Sequence, residues 1–161
     1  MRETMYNAKG CGLAASRIGI PIKLFVVDSK TAFENFEEAD RETYFDKGDN
    51  GIMETFINAE IMERSAETSQ EEEGCLSIPG LSQKISRSRS IQIEYFNKDF
   101  EKQIKTFSVT TARMIQHEYD HTLGILYLDY LKPFTRKLIG SKLKKIIKGQ
   151  ISLKYPMKFS G

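Results

Sequence analysis

His117 and His121, the only two histidines of the chain, stand four residues apart with Glu118 beside the first. Residues four apart share one face of a helix, so this spacing lets two imidazole nitrogens converge on a single metal ion. Glu118 then lies close enough to exchange protons with a water on that metal. The flanking residues support a helix over about Thr110 to Leu123. Ser108 or Thr110 offers a cap, Ala112, Met114 and Ile115 supply buried positions, and Gly124 provides a stop.

Two histidines do not complete a catalytic site, which needs three protein ligands and one open position. The candidate third ligand is Cys75 in Glu73-Gly74-Cys75-Leu76-Ser77, one of only two cysteines. Gly74 allows a close backbone approach, and Ser77-Ile78-Pro79-Gly80 reads as a turn. A thiolate there would neutralise part of the metal's charge and be stabilised by it. The alternative role for Cys75 is a small buried hydrophobe.

Three motifs in order give the chain a resemblance to the peptide deformylases: Gly10-Cys11-Gly12-Leu13-Ala14-Ala15-Ser16-Arg17-Ile18-Gly19, Glu73-Gly74-Cys75-Leu76-Ser77 and Gln116-His117-Glu118-Tyr119-Asp120-His121. The similarity runs from Met1 to about Gly149. It implies hydrolysis of the formyl group from the formyl-methionine of nascent polypeptides, releasing formate. By the same resemblance Cys75, His117 and His121 hold one divalent metal, with ferrous iron (Fe2+) preferred over Zn2+ or Ni2+. Glu118 carries the proton from the attacking water to the departing amine, and the Leu76 backbone N–H donates to the developing oxyanion. Glu73 pairs with Arg87 to brace the cysteine loop, unless Arg87 is a solvated strand charge. Gly12, Cys11 and Ile115 border the pocket for the methionine side chain, although Cys11 could equally serve in packing. Downstream residues of the substrate bind as an added strand.

Two departures from the family matter. Arg17 stands where the family has glutamine; arginine has donors but no acceptor, is longer and is always charged. It either donates to the oxyanion in a weakened enzyme or swings out to solvent. Met1-Arg2-Glu3-Thr4-Met5-Tyr6 resembles the tail of a helix that the family precedes with a longer segment, so the resemblance implies that this segment is missing. Met1, Met5 and Ala8 share a face that would then lack cover. The alternative function is a diverged, weakly active or inactive metal-binding paralogue that acts as a ribosome- or peptide-binding protein. A general metallopeptidase fits the cysteine and glycine motifs less well.

At 161 residues and 40% hydrophobic content, the chain suits one domain spanning 1–161. No run is apolar enough to span a membrane, the start lacks a secretory h-region, and two cysteines give no disulfide framework. A cytoplasmic location follows, with no membrane partner and no sequence-specific nucleic-acid binding.

The layout reads as α+β: small antiparallel or mixed sheets packed around a central metal-binding helix, with a basic amphipathic helix near the C-terminal end. Strands are expected at Ile22–Asp28, Glu54–Asn58, Ser69–Glu73, Ser90–Phe96 and Lys102–Ser108, with a turn at Asn97-Lys98-Asp99. Residues 29–53 show no period and read as an acidic surface loop. Of the 24 basic and 22 acidic residues, nine basic and no acidic ones follow Tyr130, leaving 15 basic against 22 acidic before it. The helix expected over 133–149 carries Leu138, Ile139, Leu143, Ile146 and Ile147 among its lysines. It either docks on the domain or attaches to a polyanion, which the resemblance identifies with the ribosome.

Overall fold

The computed structural model describes residues 1–152, 155 and 157; the rest of the expected 1–161 span lies outside the described residues. Strands β1 (Gly12–Ala14), β2 (Leu24–Asp28), β3 (Met53–Arg64), β6 (Ser90–Phe96) and β7 (Lys102–Ser108) form an antiparallel sheet in the order β1-β2-β3-β6-β7. Strands β4 (Thr68–Cys75) and β5 (Ile78–Ser88) form a separate antiparallel hairpin. Helix α4 (Val109–Thr122) lies between the two, and its end at Gly124, where φ is +76°, matches the expected stop.

Period-two patterning makes β6 a strand: Ile91, Ile93 and Tyr95 are buried while the residues between them are not. They pack with Phe25, Val27 and Phe56 against Ala112, Ile115 and Tyr119 of α4. Spaced three and four apart, these α4 residues give the helix one apolar stripe toward the large sheet. One flank of α4 is covered as well, and there buried polar groups bond to the hairpin. Arg113 donates to the Ser69 and Ile85 carbonyls at 2.8 and 3.1 Å, and Gln116 donates to the Ser88 carbonyl at 2.9 Å.

A second cluster joins Ile78, Leu81 and Ile85 of β5 to Tyr127, Leu128 and Ile146. Ile146 belongs to α5 (Pro133–Ile147), whose Ile139 and Leu143 also face this cluster. Leu138 and Ile147 do not: they are 67% and 52% exposed, because the docked stripe runs through 139, 143 and 146. No helix among the described residues is long and apolar enough to cross a membrane.

Three expectations are corrected. Residues 29–53 are not an irregular loop: they contain α2 (Ser29–Asn35) and α3 (Glu38–Tyr44), joined by packing among Phe33, Phe36, Tyr44 and Phe45. Ser77-Ile78-Pro79-Gly80 does not form one turn; the chain reverses at Leu76 and Ser77, and β5 begins at Ile78. In α1 (Arg2–Asn7), Met5 does not lack cover, because it packs on Leu13 and Val26 with Met1 beside it.

Candidate active site

The face of α4 opposite its apolar stripe lines a cavity of about 580 Å3. Thr110, Met114, His117 and His121, spaced four, three and four apart, all border it. The β4–β5 turn brings Cys75 to the same place: Cys75 Sγ lies 3.3 Å from His121 Nε2, and one ligand atom from each of Cys75, His117 and His121 falls within a 4.8 Å cluster.

Glu73 orients this group. Its Oε2 lies 3.2 Å from His117 Nδ1, so the other ring nitrogen of His117 is left for the cavity. Arg87 donates to both Glu73 oxygens, at 2.7 and 3.0 Å, and to Asp120 at 2.7 Å. Arg87 is therefore buried in an ion-pair network and is not a solvated strand charge. Arg113 adds a further bond to Glu73 at 2.6 Å, and Tyr130 donates to Asp120 at 2.9 Å. Burial alone would raise the Glu73 carboxyl, but hydrogen bonds from His117 and Arg87 outweigh it and bring the pKa down to about 2.

Two chemical consequences follow. Burial opposes ionisation of Cys75, yet the imidazoles of His117 and His121 hold its pKa down to about 5, so the sulfur is a thiolate. Burial has the reverse outcome at Glu118, whose carboxyl is pushed up to about 7 despite the nearby histidines. Its Oε2 and the Nδ1 of His121 are buried without a hydrogen-bond partner among the described residues. Gly12 of β1 lies directly against Glu118: a Cβ there would sit 2.5 Å from Oε1.

The other expected site residues divide. Leu76, Cys11, Gly12 and Arg17 border the cavity, and Arg17 Nε donates to Ser77 Oγ at 2.6 Å. Ile115 does not border it, because its side chain is fully buried in the core between α4 and the sheet. Met114, one residue earlier, takes the position assigned to Ile115, and spacing from His117 and His121 was the available signal. Phe36 and Tyr44, which also border the cavity, carried no such signal.

The geometry agrees with comparisons to known proteins. The family model of polypeptide deformylases matches residues 1–137. The peptide deformylase of Christiangramia forsetii is 42% identical over 161 residues, covering 99% of this chain and 80% of that protein. The Flavobacterium johnsoniae peptide deformylase is 42% identical over 160 residues, with the same two shares of 99% and 80%. A crystal structure of peptide deformylase from Ehrlichia chaffeensis matches with a TM-score of 0.77 at 31% identity, covering 93% of this chain and 80% of that one. Motifs, fold and relatives agree: the chain belongs to the peptide deformylase family and is a hydrolase.

Proposed function

We propose that this enzyme releases formate from the N-formyl-methionine that begins nascent polypeptides, using one divalent ion held by Cys75, His117 and His121. The observation that carries this reading is the convergence of one thiolate and two imidazoles beside the buried Glu118 carboxyl, in one cavity. That donor set suits a catalytic ion because three protein ligands leave a position open. The Cys-His-His donors suit iron, zinc and nickel alike, and the family preference favours ferrous iron. Such an ion, when bound, polarises the formyl carbonyl and lowers the pKa of water.

The chain's own groups then handle the proton and the charge. Glu118, with an unpartnered Oε2 and a carboxyl near pKa 7, takes a proton from the attacking water as its oxygen bonds to the formyl carbon. As the carbon–nitrogen bond breaks, the Glu118 carboxyl returns that proton to the amine. The Leu76 N–H and the Arg17 guanidinium donate to the developing oxyanion. With Nε on Ser77, Arg17 keeps its terminal nitrogens for this task. Gly12 and Cys11 border the substrate's first side chain. Among the described residues, strands β1 and β4 each have an unpaired edge next to the cavity, which supports binding of the peptide backbone as an added strand.

The proposed setting is the cytoplasm, at the ribosome. Lys137, Lys142, Lys144, Lys145 and Lys148 of the C-terminal helical region are exposed while Ile146 anchors it, so a cationic surface faces outward. Replacing those lysines with glutamate should abolish co-sedimentation with ribosomes; unchanged co-sedimentation would remove this part. The alternative of a binding paralogue draws no support from the complete set of acid, ligand and brace residues.

The test is anaerobic turnover of formyl-Met-Ala-Ser by iron(II)-loaded protein, beside a Glu118→Ala control. Formate release that the control abolishes is the expected result. No release from protein that is folded and loaded with one ion would overturn the proposal.

A further inference from the structure

Phe36 and Tyr44 come from the α2–α3 segment, outside every motif, yet both reach the cavity. Their rings stack with centroids 4.5 Å apart and 19° between planes. The pair is held in place. Phe36 meets the buried Phe45 edge-on at 6.1 Å, Phe45 meets Phe33 at 5.2 Å, and Arg41 Nε donates to the Phe33 and Phe36 carbonyls at 3.1 and 3.2 Å. The segment is fixed to the first turn of α4, where Ser29 Oγ lies 2.8 Å from Thr111 Oγ1.

This attachment places the start of the segment at the N-terminal end of α4. Along the cavity stripe of α4, Met114 lies about 4.5 Å and Thr110 about 10 Å from His117, at 1.5 Å per residue. The α2–α3 segment meets the helix at that far end. An unbranched side chain of four heavy atoms extends roughly 7–8 Å from a formyl carbon on its own amino group, counting bonds of about 1.5 Å. A side chain of that length reaches further into the cavity that Phe36 and Tyr44 border than an alanine or a valine side chain does. Arg113 and Glu71 also border the cavity, but they face each other at 3.4 Å, and Arg113 is further held by Glu73 and Ser69. Beside these paired groups, Met114, Phe36 and Tyr44 give the cavity an apolar and aromatic surface.

We infer that Phe36 and Tyr44 form the distal wall of the pocket for the substrate's first side chain and select a long, unbranched thioether. This rests on the deformylase reading. Sulfur and methyl groups against aromatic rings contribute a several-fold gain in affinity beyond simple burial. An acidic segment that reads as solvent-exposed is thus a specificity element, whose rings line the cavity while its carboxylates face water.

The experiment compares wild type, Phe36→Ala, Tyr44→Ala and Tyr44→Phe on formyl-Met-Ala-Ser and formyl-Ala-Ala-Ser. Both alanine variants are expected to raise KM for the methionine peptide about tenfold with little change in kcat. The alanine peptide should be nearly unaffected, and Tyr44→Phe should retain wild-type KM. Equal losses on both peptides, tracking a lower Tm, would mean a purely structural role and overturn the inference. So would unchanged KM and unchanged preference in an active enzyme. Should wild type prove inactive, the deformylase reading fails by itself. Titration of formyl-Met-Ala-Ser into metal-loaded Glu118→Ala protein, with and without Phe36→Ala, still decides the wall: weaker binding supports it, and equal binding overturns it.

Discussion

Glu73 Oε2 and His117 Nδ1 lie 3.2 Å apart, and the same carboxylate accepts three hydrogen bonds from Arg87 and Arg113. One buried anion therefore ties β4, β5 and α4 together while fixing which nitrogen of His117 faces the cavity. A brace of this kind pre-forms the ligand set, so less ordering is required when an ion binds. Glu73→Gln keeps the shape but removes the charge. It should weaken divalent-metal affinity about 10–100-fold, measured by competition with a chelating dye. It also leaves two buried arginines short of an anion, and breaking such a pair costs about 3–5 kcal/mol in denaturant unfolding. Unaltered metal affinity would show that His117 is positioned by other contacts.

Gly12 provides a second, independent probe because its place against Glu118 leaves no room. A Cβ would fall 2.5, 2.7 and 2.8 Å from Oε1, Cγ and Cδ of the Glu118 side chain, which is buried except where it borders the cavity. Gly12→Ala should therefore displace the carboxyl without touching Cys75, His117 or His121. The expected outcome is a drop in kcat of about 10²–10⁴, the range for losing a positioned acid–base group. Metal content should stay at one ion per chain by elemental analysis. Loss of metal in parallel with activity would count against so local an effect.

These two probes also mark what the sequence made legible. The His117–His121 spacing and the Cys75 motif identified the cluster because its members obey local helix and turn geometry. Strand β6 begins and ends where expected, since Ile91, Ile93 and Tyr95 alternate cleanly, and β7 keeps its expected bounds after the turn at Lys98 and Asp99. The expectation of Ile115 in the pocket fails because a rotation of one residue, about 100° on a helix, puts it in the core. The aromatic cluster of α2 and α3 escaped because Phe33, Phe36, Tyr44 and Phe45 pack on one another, so no single period relates them. Arg113 escaped for a different reason: its partners on β4 and β5 are distant in sequence, and a buried arginine looks like a surface one until its acceptors are known.

Acid stability should depend on Asp28, which caps α2 and accepts hydrogen bonds from the Thr31 N–H at 2.9 Å, the Thr31 hydroxyl at 2.8 Å and the Tyr6 hydroxyl at 2.6 Å. Burial by itself raises this carboxyl, but the hydrogen bonds outweigh it and leave the pKa below its ordinary value. The unfolded chain, with a pKa near 3.9, binds the proton more readily. The Asp28 contribution is therefore complete above that value and is lost as pH falls through the lower folded-state pKa. Asp28→Asn retains a capping side chain but has no charged form, so it should be less stable than wild type at neutral pH and approach it in acid. Its unfolding free energy should fall less steeply than wild type's below about pH 4. Parallel curves from urea denaturation at pH 3 to 7 would exclude Asp28 as the source.

Arg17 tests how far the catalytic arrangement tolerates a change in its donor. Its Nε is held by Ser77 Oγ at 2.6 Å, so the guanidinium is anchored to the β4–β5 turn that also carries Cys75 and Leu76. An anchored cation can donate to an oxyanion, but it accepts nothing from water and repels a neighbouring divalent ion. A neutral amide at this position supplies both a donor and an acceptor. Since one misplaced oxyanion donor costs about 10²–10³ in turnover, Arg17→Gln should raise kcat measurably on formyl-Met-Ala-Ser, with KM changing less. The Ser77 anchor makes the argument more specific. Ser77→Ala should lower kcat when Arg17 is present and have little effect in the Arg17→Gln background, because the hydrogen bond it removes is then already gone. An unchanged or lower kcat for Arg17→Gln would mean that the guanidinium is a sufficient donor. Equal effects of Ser77→Ala in both backgrounds would mean that the serine acts on the Cys75 turn directly and not through Arg17.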